Sequence, residues 1–115
     1  MRLMVRSQLE LLVLYQDIHL MLQEAEEEEI KLGFSVEGIE ELKQAQEELA
    51  KSIEVRLLRT YERLKTRSRR VIVPVKDDIC LGCFAKLPTS YSTKHRDDQL
   101  IFTCENCGRI LFWLD

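Results

Sequence analysis

The sequence predicts a mixed fold: a long antiparallel helical hairpin (coiled coil) followed by a small β domain that holds a metal ion. Three observations lead to this prediction. Two stretches carry apolar residues at helical spacing, a β-branched segment follows residue 70, and all four cysteines lie in the last third of the chain as two C-x-x-C pairs. The predicted domain boundaries are 1–70 and 71–115, and neither part of the 115 residues is long enough for a large core.

The first predicted helix covers residues 3–31, which contain neither proline nor glycine. Its apolar stripe advances mostly by three and four residues, as on one buried face of a helix: Met4, Leu11, Tyr15, Ile18, Leu22, Ala25 and Leu32. Gly33 can end this helix, and Ser35 can begin the next one.

The second predicted helix covers residues 36–69 and continues the same spacing. Its stripe consists of Ile39, Leu42, Leu49, Ile53, Leu57, Tyr61 and Leu64. Two such helices joined by a short turn would form a hairpin with arms about 45 Å long.

The remainder of the chain changes to strand character. Residues 71–75 are β-branched except for Pro74, which restricts them to an edge strand or a linker. Residues 99–103 and 109–114 read as strands on either side of the second cysteine pair. Leu87-Pro88-Thr89 can start a helical turn, and Asp97-Asp98 suits a hairpin turn. Gly82 and Gly108 stand where cysteine turns often need a positive φ.

The cysteines predict one structural Zn²⁺ ion bound by Cys80, Cys83, Cys104 and Cys107. Twenty residues separate the two pairs, a spacing typical of zinc sites, and two cysteine turns plus a small sheet form a zinc ribbon. Four thiolates leave no position for water, so the ion would hold structure and would not catalyse a reaction. An iron centre of the rubredoxin type uses the same four ligands and stays an alternative.

Two other uses of cysteine fit less well. Disulfides belong to secreted chains, but Glu10, Gln16 and Asp17 interrupt the leucine-rich residues 9–22, which spoils both a signal peptide and a membrane span. A thioredoxin-like redox role needs a single C-x-x-C in a βαβ setting. We therefore expect a cytoplasmic, zinc-binding protein.

The sequence resembles a family of bacterial coiled-coil proteins with a C-terminal four-cysteine zinc-ribbon domain. The resemblance is specific over VIVPVKDDICLGCFAKLPT and TCENCGRILFWLD and generic over the helices, whose arms are shorter than those of full-length relatives. It implies zinc on the four cysteines and cytoplasmic, non-enzymatic work through contacts with proteins or nucleic acid. It also implies partners such as the alternative, enhancer-dependent sigma factor, flagellar or secretion components, or RNA.

The net charge of −3 hides a strong asymmetry along the chain. Residues 1–50 carry a net charge of −8, whereas residues 51–73 carry +6. In the second predicted helix five arginines advance by 3, 4, 4 and 3 positions, which places them on one face: Arg56, Arg59, Arg63, Arg67 and Arg70. This stripe is either a solvated helix face or a binding surface for RNA, DNA or an acidic protein. The hairpin would keep it about 30 Å from the acidic run Glu24–Glu29.

The apolar content of residues 9–22 exceeds what one hairpin seam can cover. Leu12, Val13, Leu20 and Met21 fall outside the main stripe. Because large exposed apolar patches are uncommon on monomers, we expect either the ribbon or a second chain to cover these residues. The second alternative predicts a homodimer through the first helix.

Three functional hypotheses follow. The leading one is a non-enzymatic adaptor that acts through protein contacts in transcription or in flagellar or secretion regulation. The second is direct RNA or DNA binding by the ribbon and the arginines. The third is an RNA polymerase secondary-channel modulator, whose acidic hairpin tip would here be Glu37, Glu40 and Glu41, without the expected aspartate-rich motif. The sequence shows no catalytic triad, phosphate loop or second metal motif, so we expect no enzyme.

Overall fold

The computed structural model describes residues 8–33, 37–94 and 101–114, with only the backbone described for residues 92–94. Four helices and three strands follow one another along this part of the chain. They are α1 (Gln8–Leu32), α2 (Ile39–Ala50), α3 (Val55–Leu64), β1 (Ile72–Lys76), β2 (Ile79–Cys80), α4 (Thr89–Lys94) and β3 (Ile110–Trp113).

The first predicted helix is confirmed over its described residues. It ends at Gly33, whose φ of 75° and whose N–H bond to the Glu29 carbonyl (2.9 Å) form a left-handed C-cap. The chain enters α2 through Gly38, which has a φ of 89°. The positions assigned to Met4 and Ser35 lie outside the described residues.

The prediction of one continuous second helix is wrong, because the chain turns at residues 51–54. The N–H groups of Ser52 and Ile53 bond back to Leu49 and Ala50, and Glu54 is extended with a ψ of 135°. Gln8 on α1 binds this turn: its Oε1 accepts the Glu54 N–H at 2.8 Å, and its Nε2 donates to the Ser52 carbonyl at 3.1 Å. The predicted second helix is therefore two short helices, α2 and α3.

Helix α3 runs alongside α1 in the same direction, as its successive contacts show. Near the end of α3, the ring of Tyr61 contacts the ring of Tyr15 edge-on, with the ring centroids 5.3 Å apart. Farther along both segments, Arg69 lies 3.9 Å from Glu24 and from Glu27. The chain thus runs along α1, returns antiparallel along α2 and then runs along α3 in the direction of α1.

The sheet has the order β2-β1-β3, so β1 is its central strand. This contradicts the edge position that Pro74 predicted. Strand β1 pairs antiparallel with β2 and parallel with β3. Pro74 is tolerated because its main-chain groups point toward the side of β2, just beyond the residues that pair with this short strand. There the Pro74 carbonyl accepts the Leu81 N–H at 2.9 Å, and no N–H is needed from Pro74 itself.

The sheet packs against α1 and covers part of the apolar excess of that helix. Leu12 is fully buried in one cluster with Ile72 and Ile110, so the chain's own sheet covers this part of residues 9–22. Gln16, only 3% exposed, accepts the N–H groups of Val71 and Ile72 at 2.7 Å each and donates to the Ile72 carbonyl at 3.0 Å. The homodimer and the domain boundary at residue 70 stay predictions.

Two smaller predictions near the second cysteine pair have different outcomes. The strand at 109–114 is confirmed as β3, and the helical turn after Pro88 is confirmed as α4. Of the strand predicted at 99–103, the described part contains only a single bridge between Thr103 and Ile110. The Asp97-Asp98 turn lies outside the described residues.

Candidate metal centre

The two cysteine turns share one backbone arrangement. In the first, the Phe84 N–H bonds to the Cys80 carbonyl (2.6 Å), and the Cys80 N–H bonds to the Ala85 carbonyl (3.0 Å). In the second, the Gly108 N–H bonds to the Cys104 carbonyl (2.9 Å), and the Cys104 N–H bonds to Arg109 (2.9 Å). Each turn therefore folds back on its first cysteine and directs both sulfurs to the same side.

The residue after the second cysteine of each turn takes the left-handed conformation. The prediction for Gly108 is confirmed, with a φ of 77°. In the first turn, however, the positive φ belongs to Phe84 (64°) and not to Gly82, so that prediction is wrong. Gly82 is required for space, since a Cβ there would lie 2.9 Å from Val73 Cγ1 and 3.0 Å from Arg109 Nη1.

The four cysteine sulfurs form a compact cluster that could hold a metal ion. All four lie within 4.8 Å of one another. The Sγ atoms of Cys80 and Cys107 are 3.8 Å apart, and those of Cys83 and Cys104 are 3.7 Å apart. A tetrahedron with Zn–S distances of about 2.3 Å has edges of about 3.8 Å, whereas a disulfide would bring two sulfurs to about 2.05 Å. The spacing fits a four-thiolate metal site.

The thiols differ in their affinity for protons. The side chain of Asn106, followed by the Ala85 N–H, lowers the pKa of Cys83 to about 6. Burial raises the pKa of Cys107 to about 12 and also raises the pKa of Cys80. Sequence reasoning missed Asn106, although its amide inside the C-x-x-C turn was a visible signal. A metal ion would have to displace protons from at least Cys80 and Cys107.

The cysteine cluster rests on the second apolar cluster of the molecule. This cluster contains Val73, Val75, Leu87 and Leu111, with the rings of Tyr91, Phe102 and Trp113 at its edge. Because β1 and β3 contribute to both clusters, the sheet connects the cysteines to the helices.

The predicted arginine stripe is only partly helical. Arg56, Arg59 and Arg63 lie on α3, whereas Arg67 and Arg70 follow its end at Leu64. All five are exposed. The expected distance of about 30 Å between the stripe and the acidic run Glu24–Glu29 is wrong at the end of the stripe. Arg69, which precedes Arg70, lies 3.9 Å from Glu24 and from Glu27, because the chain follows α1 beyond the end of α3.

The acidic residues proposed as a hairpin tip lie near the turn between α1 and α2. Glu37, Glu40 and Glu41 are exposed there.

Within the described residues, none of the helices combines the length and the apolar character needed to cross a membrane.

Comparison with known proteins gives two solved structures of similar fold. CT398 from Chlamydia trachomatis is 31% identical with a TM-score of 0.60, and the match covers 67% of this chain and 33% of that one. The HP0958 protein from Helicobacter pylori is 29% identical with a TM-score of 0.61, and the match covers 68% of this chain and 33% of that one. This chain therefore spans about a third of each solved chain. No family model and no curated protein matches.

Proposed function

We propose that this protein is a cytoplasmic, non-enzymatic adaptor whose four cysteines bind one structural Zn²⁺ ion. The observation that carries the proposal is the sulfur cluster, with distances of 3.7 and 3.8 Å between opposite sulfurs. Both distances are close to the edge of about 3.8 Å expected for four sulfurs around Zn²⁺, which supports the proposal. With all four positions taken by thiolates, the ion has no site for substrate or water and acts by holding the ribbon together.

The adaptor acts through contacts with another protein. Gln16 and Leu12 on α1 pack against the start of β1, so the ribbon can be held in a fixed position relative to the helices when it meets a partner. The resemblance of residues 71–114 to bacterial zinc-ribbon proteins supports a partner in transcription, such as the enhancer-dependent sigma factor, or in flagellar or secretion regulation.

An affinity capture tests this proposal. The full-length protein is immobilised and exposed to nuclease-treated lysate of the source bacterium, beside a Cys104→Ser variant that lacks one metal ligand. We expect the wild type to retain a defined protein from transcription, flagellar or secretion machinery, and the variant to lose it. Retention of the same proteins by both, or of none, contradicts the adaptor role.

Direct binding of RNA or DNA is a second candidate, favoured by the arginines. Arg56, Arg59 and Arg63 are exposed on consecutive turns of α3, and none of them forms an ion pair with the described residues. Their guanidinium groups are therefore available to phosphates.

Salt dependence tests this second candidate with single-stranded RNA as the probe. Affinity should fall with rising salt at a logarithmic slope of about −0.7 per phosphate contacted. The double variant Arg59→Glu with Arg63→Glu should abolish binding. Arg69→Glu is the matched control, because Arg69 already faces Glu24 and Glu27. Binding that ignores both salt and the double variant would exclude this role.

A further inference from the structure

Phe84 is an exposed aromatic residue on the first cysteine turn, and its position is unfavourable in two ways. Its side chain is 74% exposed, and its φ is 64°. The equivalent position of the second turn holds Gly108, which takes this conformation without steric cost. A bulky residue kept in a strained backbone and in solvent gains nothing from the fold, which points to a contact outside the chain.

The residues after Phe84 form a sheet edge that no described strand covers. Ile79 and Lys86 face each other in an antiparallel bridge. The neighbouring bonds, Cys80 N–H to Ala85 and Leu87 N–H to Asp78, direct residues 85 and 87 toward β2. Because main-chain groups alternate along a strand, the N–H and C=O of Lys86 point away from β2, and neither bonds to a described residue.

A groove borders this edge. It has a volume of about 320 Å³ and lies between residues 85–88 and the second cysteine turn, where Cys104, Glu105 and Asn106 form its opposite wall. Lys86 therefore lies both at the sheet edge and in the wall of a cleft, two positions after Phe84.

We propose that this groove binds an extended segment of a partner protein, which adds a strand to the Lys86 edge and places an apolar side chain against Phe84. A donor and an acceptor on one exposed main-chain residue match the backbone of an extended polypeptide, and a neighbouring aromatic residue supplies the anchor. Glu105 on the opposite wall offsets the charge of Lys86, so the groove offers no net positive charge for phosphates, and the occupant is a peptide and not a nucleic acid. The inference rests on the proposed adaptor function and names its contact surface.

A displayed library of random peptides, selected on the zinc-loaded full-length protein, tests the groove. Affinities of the selected peptides are then measured for three variants. Lys86→Pro removes the outward N–H, whereas Lys86→Ala keeps it and serves as the matched control. Phe84→Gly removes the ring and relieves the strained backbone, so it should melt no lower than the wild type. Metal content and melting temperature verify that each variant is folded.

We expect Lys86→Pro and Phe84→Gly to weaken binding about tenfold or more, and Lys86→Ala to leave it nearly unchanged. If Lys86→Pro does not fold, Phe84→Gly decides alone. The inference is overturned if no peptide is selected, or if the selected peptides bind the folded variants as they bind the wild type. A partner captured equally by wild type and Phe84→Gly would overturn the groove and leave the adaptor function standing.

Discussion

At the scale of single residues, two glutamines on α1 hold distant parts of the chain. Gln8 binds the turn at residues 52–54, and Gln16 binds the start of β1. In the sequence Gln16 is only a polar interruption of an apolar run. Its role could not be predicted because its partners, Val71 and Ile72, lie 55 and 56 positions away.

Replacing Gln16 should therefore destabilise the protein. Gln16→Ala leaves the buried N–H groups of Val71 and Ile72 without an acceptor, and we expect a loss of about 1–3 kcal/mol in the free energy of unfolding. Urea unfolding measures it. Gln44→Ala, at an exposed position of α2, is the control and should change stability by less than about 0.5 kcal/mol. Equal effects would show that the Gln16 bonds contribute nothing.

Zinc affinity should fall as the pH is lowered. The raised pKa values of Cys80 and Cys107 mean that both thiols hold protons at neutral pH, and these protons compete with the metal. Below about pH 6 the Cys83 thiol also becomes protonated, because its pKa is about 6, and the affinity should fall more steeply. Competition with a chromogenic chelator between pH 5 and pH 8 measures this dependence. An affinity that does not change with pH would contradict the proposed ligands.

At the scale of elements, the sequence predicted the types of structure better than their continuity. Spacing alone located α1 and β3, because both depend on local periodicity. The turn at residues 51–54 contains neither glycine nor proline, and it is held by Gln8 from another element, so the helical stripe appeared to continue through it. The central position of β1 could not be predicted either. Pro74 suggested an edge strand, but the pairing next to it uses the Pro74 carbonyl and needs no N–H from this residue.

A proline substitution tests whether the predicted second helix is interrupted between α2 and α3. Val55 begins α3, is 62% exposed and follows Glu54, whose ψ of 135° suits the residue before a proline. Val55→Pro should change the free energy of unfolding by less than about 1 kcal/mol, because proline is favoured in the first turn of a helix.

The control places proline inside a helix. Glu47→Pro in α2 should cost about 3 kcal/mol, since it removes a helical hydrogen bond. A comparable loss for Val55→Pro in the same urea experiment would indicate one continuous helix.

At the scale of the whole molecule, the cluster of four cysteines was the most predictable feature and the packing of the sheet was the least. Two C-x-x-C pairs identify their own turns, and the structure brings all four sulfurs together. The packing of the C-terminal sheet on α1 was only one of two alternatives, because an excess of apolar residues in a helix does not indicate which surface covers them. Leu12, Ile53 and Ile110 meet in one core although they lie far apart in the sequence.

The most direct measurement is native mass spectrometry of the full-length protein, purified without chelator and without added metal. We expect a single species that carries one zinc ion per chain and has lost the thiol protons that the ion displaces. A chain without metal whose amide-exchange protection in β1 and β3 is nevertheless intact would contradict it, and so would a mass showing two disulfides.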